Sequence, residues 1–176
     1  MAAGVPAGVF NLVMGSGSVV GDALVNHPDV AAITFTGSME TGRSIAQKAV
    51  SRMAKFQLEM GGKNPLVVVD DADLATAVNV AVQGAYFSTG QRCTASSRLI
   101  VTDGIHDRFV AALTERLGKL KVDDALAAGT EMGPVVDQPQ LETDLEYIGV
   151  GQKEGATLAY GGERLTRGTD GYYLAP

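Results

Sequence analysis

Cys93 has the residue type and the neighbours of a catalytic nucleophile. It is the single cysteine of this 176-residue chain, and it lies in a run of small and polar residues with Arg92 directly before it. A cation beside an exposed thiol favours the thiolate, which is the nucleophilic form. The backbone amides of such a loop can also stabilise an oxyanion. An inert, buried thiol is the competing interpretation of a lone cysteine.

Glu59 is the candidate general base. It ends the short apolar run 56–59 and is followed by Met60 and Gly61. A carboxylate among apolar residues and glycines is expected to be desolvated, and this environment suits it to accept a proton during catalysis. A solvated glutamate at a strand end is the competing interpretation.

Two predicted strand-to-helix turns have the residue types that bind the phosphates of a nucleotide. The first follows the apolar run 9–13 and contains Gly17 and Gly21, which let backbone amides approach a phosphate or a ribose. Its glycine spacing is one residue longer than the usual dinucleotide fingerprint, so an ordinary turn is an equally good interpretation. In the second turn Gly37 precedes Ser38, which can bind a phosphate oxygen or simply cap a helix.

The hydrophobic pattern predicts an α/β fold that positions these residues. Apolar runs alternate with segments of helical spacing, which is typical of parallel βαβ units. Strands are predicted at 9–13, 32–36, 56–59, 65–69, 99–101, 157–160 and 172–174. Helices are predicted at 19–26, 40–50, 74–85, 105–117 and 141–148. The three valines in 65–69 predict a strand that is buried on both faces.

Composition argues against several classes of function. The net charge of −6 argues against a nucleic-acid partner. No apolar run approaches the roughly 18 residues of a membrane span, and the first residues lack the features of a signal peptide. One cysteine and two scattered histidines predict no metal site and no internal disulfide, so a cytoplasmic location is expected.

In chain order, these motifs resemble three signatures of the aldehyde dehydrogenase superfamily. They are Phe-Thr-Gly-Ser at 35–38, Leu-Glu-Met-Gly-Gly-Lys-Asn-Pro at 58–65 and Gly-Gln-Arg-Cys at 90–93. Glu59 precedes Cys93 by 34 residues, which is similar to the spacing in the family. The resemblance covers essentially the whole chain, which would be an internal fragment of a longer family member.

The resemblance implies a role for each candidate residue. Cys93 would attack the aldehyde carbon, with its own backbone amide in the oxyanion hole, and Glu59 would activate the water that hydrolyses the resulting thioester. The cofactor would be NAD or NADP. Its contacts would be Ser38 at the pyrophosphate with Gly37 before it, Gly17 and Gly21 on the adenosine side, and Met60 and Gly61 near the nicotinamide.

The resemblance also implies a division into domains. Residues 1–60 would be the C-terminal part of a Rossmann-like NAD(P)-binding domain, and 61–176 the N-terminal part of the α/β catalytic domain. The second oxyanion donor of the family, an asparagine, and a lysine that holds the adenine ribose would lie upstream. A glutamate that orients the nicotinamide ribose and the oligomerisation strand would lie downstream. The chain alone is therefore expected to have little or no dehydrogenase activity, and the full-length protein to be a homodimer or homotetramer.

The expected function is oxidation of a small-molecule aldehyde to a carboxylic acid. Residues 85–98 resemble the branch that acts on 2-oxoglutarate semialdehyde (2,5-dioxopentanoate). Two alternatives remain open, namely a CoA-acylating semialdehyde dehydrogenase and a non-catalytic fragment or pseudoenzyme. The choice between NAD and NADP is open as well, because the residues that decide it would lie upstream.

Overall fold

A computed structural model describes residues 3–176 and divides them into two compact units. The first unit ends at Gly61, and the second spans Gly62–Pro176. Each unit has its own parallel strand pair and helices, and each is described by itself below.

The first unit contains a parallel pair of strands joined by a helix. Its elements are a π-helical turn Gly17–Gly21, α1 (Asp22–Asn26), β1 (Ala32–Gly37), α2 (Met39–Ser51) and β2 (Lys55–Met60). Strand β1 pairs in parallel with β2 from Ala32↔Lys55 to Gly37↔Met60. Helix α2 begins after Ser38, whose Oγ accepts a hydrogen bond from the Thr41 amide at 3.2 Å. This is the predicted βαβ unit.

The second unit is larger. Its elements are β3 (Asn64–Val68), α3 (Leu74–Ala85), a 3₁₀ turn Phe87–Gly90, β4 (Ser96–Val101), α4 (Asp103–Gly118), α5 (Gln138–Lys153), β5 (Arg164–Leu165) and β6 (Tyr173–Leu174). Strands β3 and β4 are parallel, whereas β5 and β6 are antiparallel. Asp73 caps α3 by accepting from the Thr76 amide at 2.8 Å.

The hydrophobic core of the second unit lies between β3, β4, α3 and α4. Ile105 and Phe109 of α4 are each only 1% exposed, and they pack in one cluster with Val82 of α3 and Val68 of β3. The predicted apolar stripe of α4 is confirmed, since its members recur at helical spacing on the buried side. This core supports the carboxyl end of α3 and the start of β4, which flank Cys93.

Three of the sequence predictions about strands are wrong. Residues 9–13 and 157–160 are not strands, because apolar composition alone does not supply the pairing that a strand needs, and no described segment pairs with either of them. Strand β3 is buried on one face only: Val67 is 59% exposed, while Val68 is 3% exposed. The helices cover the face that carries Val68 and leave the opposite face open.

The other predicted strands and helices are confirmed, with boundaries displaced by a few residues, as is the α/β class. Among residues 3–176, no helix combines the length and the hydropathy needed to cross a membrane.

Candidate active site

Cys93 lies at the tip of a tight turn between the 3₁₀ turn and β4. The amide of Ala95 donates to the carbonyl of Arg92 at 3.0 Å, so Cys93 and Thr94 are the two central residues of the turn. Cys93 is exposed, whereas Ala95, the residue that closes the turn, is 6% exposed. The turn thus exposes Cys93 while its last residue is buried. The interpretation of Cys93 as an inert, buried thiol does not fit this chain.

The side chain of Asn64 restrains this turn by two hydrogen bonds. Its Nδ2 donates to the carbonyl of Cys93 at 2.8 Å and to the carbonyl of Ala95 at 3.0 Å. Asn64 starts β3 and belongs to the Lys-Asn-Pro end of the motif at 58–65. Sequence reasoning assigned it no role, and only its place beside the Glu59 motif could have singled it out.

The segment before Cys93 has an uncommon backbone conformation. Ser88 and Thr89 both have φ of 54°, and Gly90 has φ of 68°. Left-handed backbone at two consecutive residues with side chains is strained and needs support from the surrounding structure. Gly90 is required here for a second reason, since a Cβ would lie 2.8 Å from the carbonyl oxygen of Ala85. The predicted loop is therefore a specific, ordered turn.

Gln91 and Arg92 attach the same segment to two neighbours. The Oε1 of Gln91 accepts from the Val136 amide at 3.1 Å and from the Thr89 hydroxyl at 2.6 Å. The guanidinium of Arg92 donates to the carbonyl of Gln83 in the last turn of α3. Carbonyls in the last turn of a helix lack internal partners, and one of them accepts this hydrogen bond. The expectation that Arg92 favours the thiolate of Cys93 stays a prediction.

Glu59 lies near the end of β2, opposite Thr36 of β1, and is exposed. Its Oε1 accepts from Nε2 of Gln57 at 3.3 Å. The sequence predicted a desolvated carboxylate, and the structure corrects this. Side chains alternate along a strand, and Leu58 is the half-buried residue on the α2 side, so Glu59 faces away from the helix.

Gly37 and Ser38, the candidate residues of the second predicted phosphate-binding turn, lie where β1 ends. Ser38 follows β1, and its hydroxyl donates to Thr41 Oγ1 at 2.9 Å while it caps α2. The next two amides, of Met39 and Glu40, have no acceptor within the helix and can bind an anion. A Cβ on Gly37 would lie 2.5 Å from the ring of Phe35, so the ring would have to shift to admit a side chain.

Gly17 and Gly21 line a cavity of about 550 Å³ in the first unit. The other lining residues come from the π-helical turn, α1, β1 and α2: Ser18, Asp22, Leu24, Val25, Ile33, Thr34, Phe35, Thr41, Ser44, Ile45 and Lys48. A Cβ added at Gly17 or Gly21 would meet nothing within 4 Å, so both glycines leave their backbone open. The cavity is large enough for a nucleoside.

Met60 and Gly61 differ in their surroundings. The thioether of Met60 packs on Gly42 of α2, where a Cβ would come within 2.4 Å of its sulfur. The amide of Gly61 donates to the Gly37 carbonyl at 3.4 Å, and a Cβ on Gly61 would meet nothing within 4 Å. The structure thus brings Gly37, Met60 and Gly61 together at one end of the first unit. Cys93 belongs to the second unit.

Within residues 3–176, no group of three or more His, Cys, Asp or Glu side chains could hold a metal ion.

Comparison with known families and proteins gives one consistent result. The sequence matches the aldehyde dehydrogenase family over residues 1–176. It is 51% identical over 176 residues to the alpha-ketoglutaric semialdehyde dehydrogenase of Bacillus subtilis, covering 99% of this chain and 36% of the relative. It is 50% identical over 176 residues to the hydroxyisobutyraldehyde dehydrogenase of Mycolicibacterium austroafricanum, covering 99% of this chain and 35% of that relative.

Solved structures agree with this match. The betaine aldehyde dehydrogenase of Staphylococcus aureus, crystallised in complex with NAD⁺, superposes with a TM-score of 0.94 at 42% identity. The match covers 99% of this chain and 35% of that protein. The chain therefore spans little more than a third of the length of the curated relatives it matches.

Proposed function

This chain belongs to the aldehyde dehydrogenase family, and we propose from that premise that it contributes the nucleophile Cys93 and the general base Glu59 to an NAD(P)-dependent oxidation of an aldehyde to a carboxylic acid. The observation that carries the proposal is the turn at Cys93. It exposes the only thiol of the chain on an ordered backbone that Asn64, Gln91 and Arg92 hold in place. A nucleophile needs this combination of access and fixed geometry.

In the first half of the reaction the thiolate of Cys93 bonds to the aldehyde carbon, and the carbonyl electron pair moves to oxygen. The backbone amide of Cys93 stabilises that oxyanion. When NAD(P) is bound, it accepts the hydride that leaves the same carbon as the oxyanion collapses, and Cys93 then carries a thioester.

In the second half Glu59 takes a proton from water, whose oxygen adds to the thioester carbonyl. Collapse of this adduct breaks the carbon–sulfur bond, releases the carboxylic acid and returns Cys93 as the thiolate. Glu59 is exposed, so it can pass its proton to solvent. A role in activating water favours hydrolysis over acyl transfer to CoA.

The first unit has features that fit a dinucleotide. Its cavity of about 550 Å³ lies beside Gly17 and Gly21, where side chains would occupy space that is now open. The start of α2 offers free amides beside Ser38, which suits a pyrophosphate. We therefore assign the residues up to Gly61 to the cofactor-binding domain and those from Gly62 to the catalytic domain. Met60 and Gly61 lie at the nicotinamide end in this assignment.

The proposed substrate is 2-oxoglutarate semialdehyde. It is supported by residues 85–98 and by the 51% identity to a relative named for that aldehyde. A relative at 50% identity is named for another aldehyde, so a direct comparison of substrates is needed. We propose a cytoplasmic homo-oligomer. The Staphylococcus aureus relative, which was crystallised with NAD⁺, supports NAD as the cofactor.

The test is a chimera in which this chain replaces the matching segment of the Bacillus subtilis relative. We expect NADH and free acid to form without CoA. Cys93→Ser should lower turnover by at least about 1,000-fold. Glu59→Gln should still give one equivalent of NADH, with later turnovers slowed about 100-fold. The 176-residue chain alone should show little or no turnover.

Glu115→Gln is the matched control, because Glu115 is an exposed glutamate of α4 paired with Lys119. It should turn over like the parent chimera. A folded chimera that forms no NADH, or a Glu59→Gln variant with full turnover, would contradict the proposal. A requirement for CoA would support the acylating alternative.

A further inference from the structure

We propose that Asn64 is the positioning residue of the Cys93 nucleophile. One side-chain amide donates to the two carbonyls on either side of Thr94, at 2.8 Å for Cys93 and 3.0 Å for Ala95. This inference rests on the proposed function, since it assigns a role to Asn64 only if Cys93 is the nucleophile.

An irregularity between β3 and β4 explains why a side chain makes these bonds. Asn64 pairs with Ser96, but Pro65 pairs with Arg98, so β4 has one extra residue at this point. Pro65 has no amide hydrogen and cannot donate to β4. The Asn64 side chain donates to the carbonyls of Cys93 and Ala95, which precede β4 and have no partner in the β3–β4 ladder.

A second side chain fixes the backbone from which Asn64 projects. The guanidinium of Arg98 donates to the Lys63 carbonyl from Nε at 3.1 Å and from Nη2 at 2.8 Å. Asn64 thus holds the turn before β4, while Arg98 of β4 holds the residue before Asn64. The two contacts are reciprocal and fix the nucleophile turn against the start of β3.

The Asn64 contact controls the part of the turn that matters for reaction. A carbonyl held at Cys93 fixes the plane of the peptide between Cys93 and Thr94. The preceding peptide, which carries the Cys93 amide, is held by the bond from the Ala95 amide to the Arg92 carbonyl. With the peptides on both sides of Cys93 held, the direction in which its side chain leaves the backbone is restricted. Both central residues of the turn are exposed, so no packing replaces this restraint. A carboxamide suits the position because its nitrogen carries two hydrogens and can serve two carbonyls at once.

Two substitutions together test this role, Asn64→Asp and Asn64→Ser. Asn64→Asp keeps the size of the side chain but replaces two donors by a carboxylate, which accepts only and repels both carbonyl oxygens. Asn64→Ser retains one donor and adds no charge, so a slower reaction of Cys93 in this variant comes from the lost hydrogen bond and not from a carboxylate near the thiol. Asn79→Asp is the matched control, because it makes the same chemical change at an exposed residue of α3 whose Oδ1 accepts from Gln83.

The measurement is the rate at which iodoacetamide alkylates Cys93 in the 176-residue chain, from about pH 5 to pH 9. A peptide of residues 88–97 gives the rate of the same thiol without the fold. We expect the chain to react faster than the peptide. Asn64→Asp should slow the chain by about 3- to 10-fold and shift its pH profile towards that of the peptide, with Asn64→Ser in between. The Asn79→Asp profile should match the parent chain.

Each contrary result has one meaning. If the chain differs from the peptide but Asn64→Asp reacts like the parent, Asn64 does not position Cys93, and the proposed function is unaffected. If the folded parent chain reacts like the peptide, the turn gives Cys93 no special reactivity and the positioning role of Asn64 is overturned, whereas NADH formation by the chimera still decides the proposed function. A denaturation curve checks that each variant is folded. If Asn64→Asp shows no cooperative transition, Asn64→Ser decides the question by the same criterion.

Discussion

The two units bury very different amounts of apolar surface. In the first, Ile45 and Ala49 are the buried hydrophobic residues among those described, whereas the second has a connected cluster that includes Phe109. Large apolar side chains of the first unit are exposed, with Phe10 at 79% and Met14 at 80%. Because burial of apolar surface is the main stabilising term, the second unit should be the more stable of the two.

The two proposed catalytic residues lie in units that differ in this expected stability. Cys93 lies on a turn attached to elements that share a core, whereas Glu59 lies on a two-stranded sheet with one helix on it. The geometry of the nucleophile is therefore supported by contacts within its own unit. The base depends on a thinner structure and should be the more mobile partner on the timescale of local opening.

The largest expected effect comes from opening the core of the second unit. Phe109→Ala removes a side chain that is 1% exposed and should lower the free energy of unfolding of this unit by about 3–5 kcal/mol. Amide hydrogen exchange resolved by segment would show faster exchange in α3, α4 and β4, and urea denaturation would show a lower midpoint.

Phe10→Ala is the matched control in the first unit. The same change at a residue that is 79% exposed should alter stability by less than about 0.5 kcal/mol. Equal losses from both substitutions would show that the apolar residues of the first unit are buried in solution, and the contrast between the units would fail.

A smaller effect is expected from removing one helix cap in each unit. Ser38 caps α2 of the first unit, and Asp73 caps α3 of the second, each by accepting an amide of the first turn. Replacement by alanine should cost about 1 kcal/mol in either case. The length of helix that opens should differ between the two variants. Helix α3 packs into the core of its unit, whereas the buried residues of α2 are only Gly42, Ile45 and Ala49.

Hydrogen exchange measures that difference directly. Ser38→Ala should increase exchange throughout α2, whereas Asp73→Ala should increase it only in the first turn of α3. Ser38→Thr and Asp73→Asn keep a capping oxygen and should restore most of the protection. Loss of protection along the whole of α3 would contradict the greater stability of the second unit.

The sequence predicted elements whose signals are local and missed those that depend on distant partners. Ser38 was predicted as a possible helix cap because capping needs only a few neighbouring residues. The run 9–13 was wrongly predicted as a strand because pairing is not encoded in the run itself. Asn64 was missed for the same reason, since its partners lie 29 and 31 residues further along the chain.

The smallest effect is a dependence of stability on pH within the second unit. A hydrogen bond from Arg116 of α4, helped by the amide of Lys121, lowers the pKa of Glu131 from its ordinary value of 4.5. The folded state therefore holds this proton less tightly than the unfolded chain. The contact stabilises the unit above about pH 4.5 and is lost as the pH falls through the lower, folded value. For a half-exposed pair the contribution should be below about 1 kcal/mol.

Urea denaturation at a series of pH values tests this, with Glu131→Gln as the variant. The loss of stability between neutral and acid pH should be smaller in Glu131→Gln than in the parent chain, because the variant has no carboxylate to protonate. Glu115→Gln is the control, because Glu115 lies in α4 beside Arg116. Lys119 lowers the pKa of Glu115, but this pair is fully exposed, so solvent and salt screen the interaction. The Glu115→Gln curve should lie closer to that of the parent. If both variants flatten the curve equally, the Arg116–Glu131 contact adds nothing beyond an ordinary surface pair.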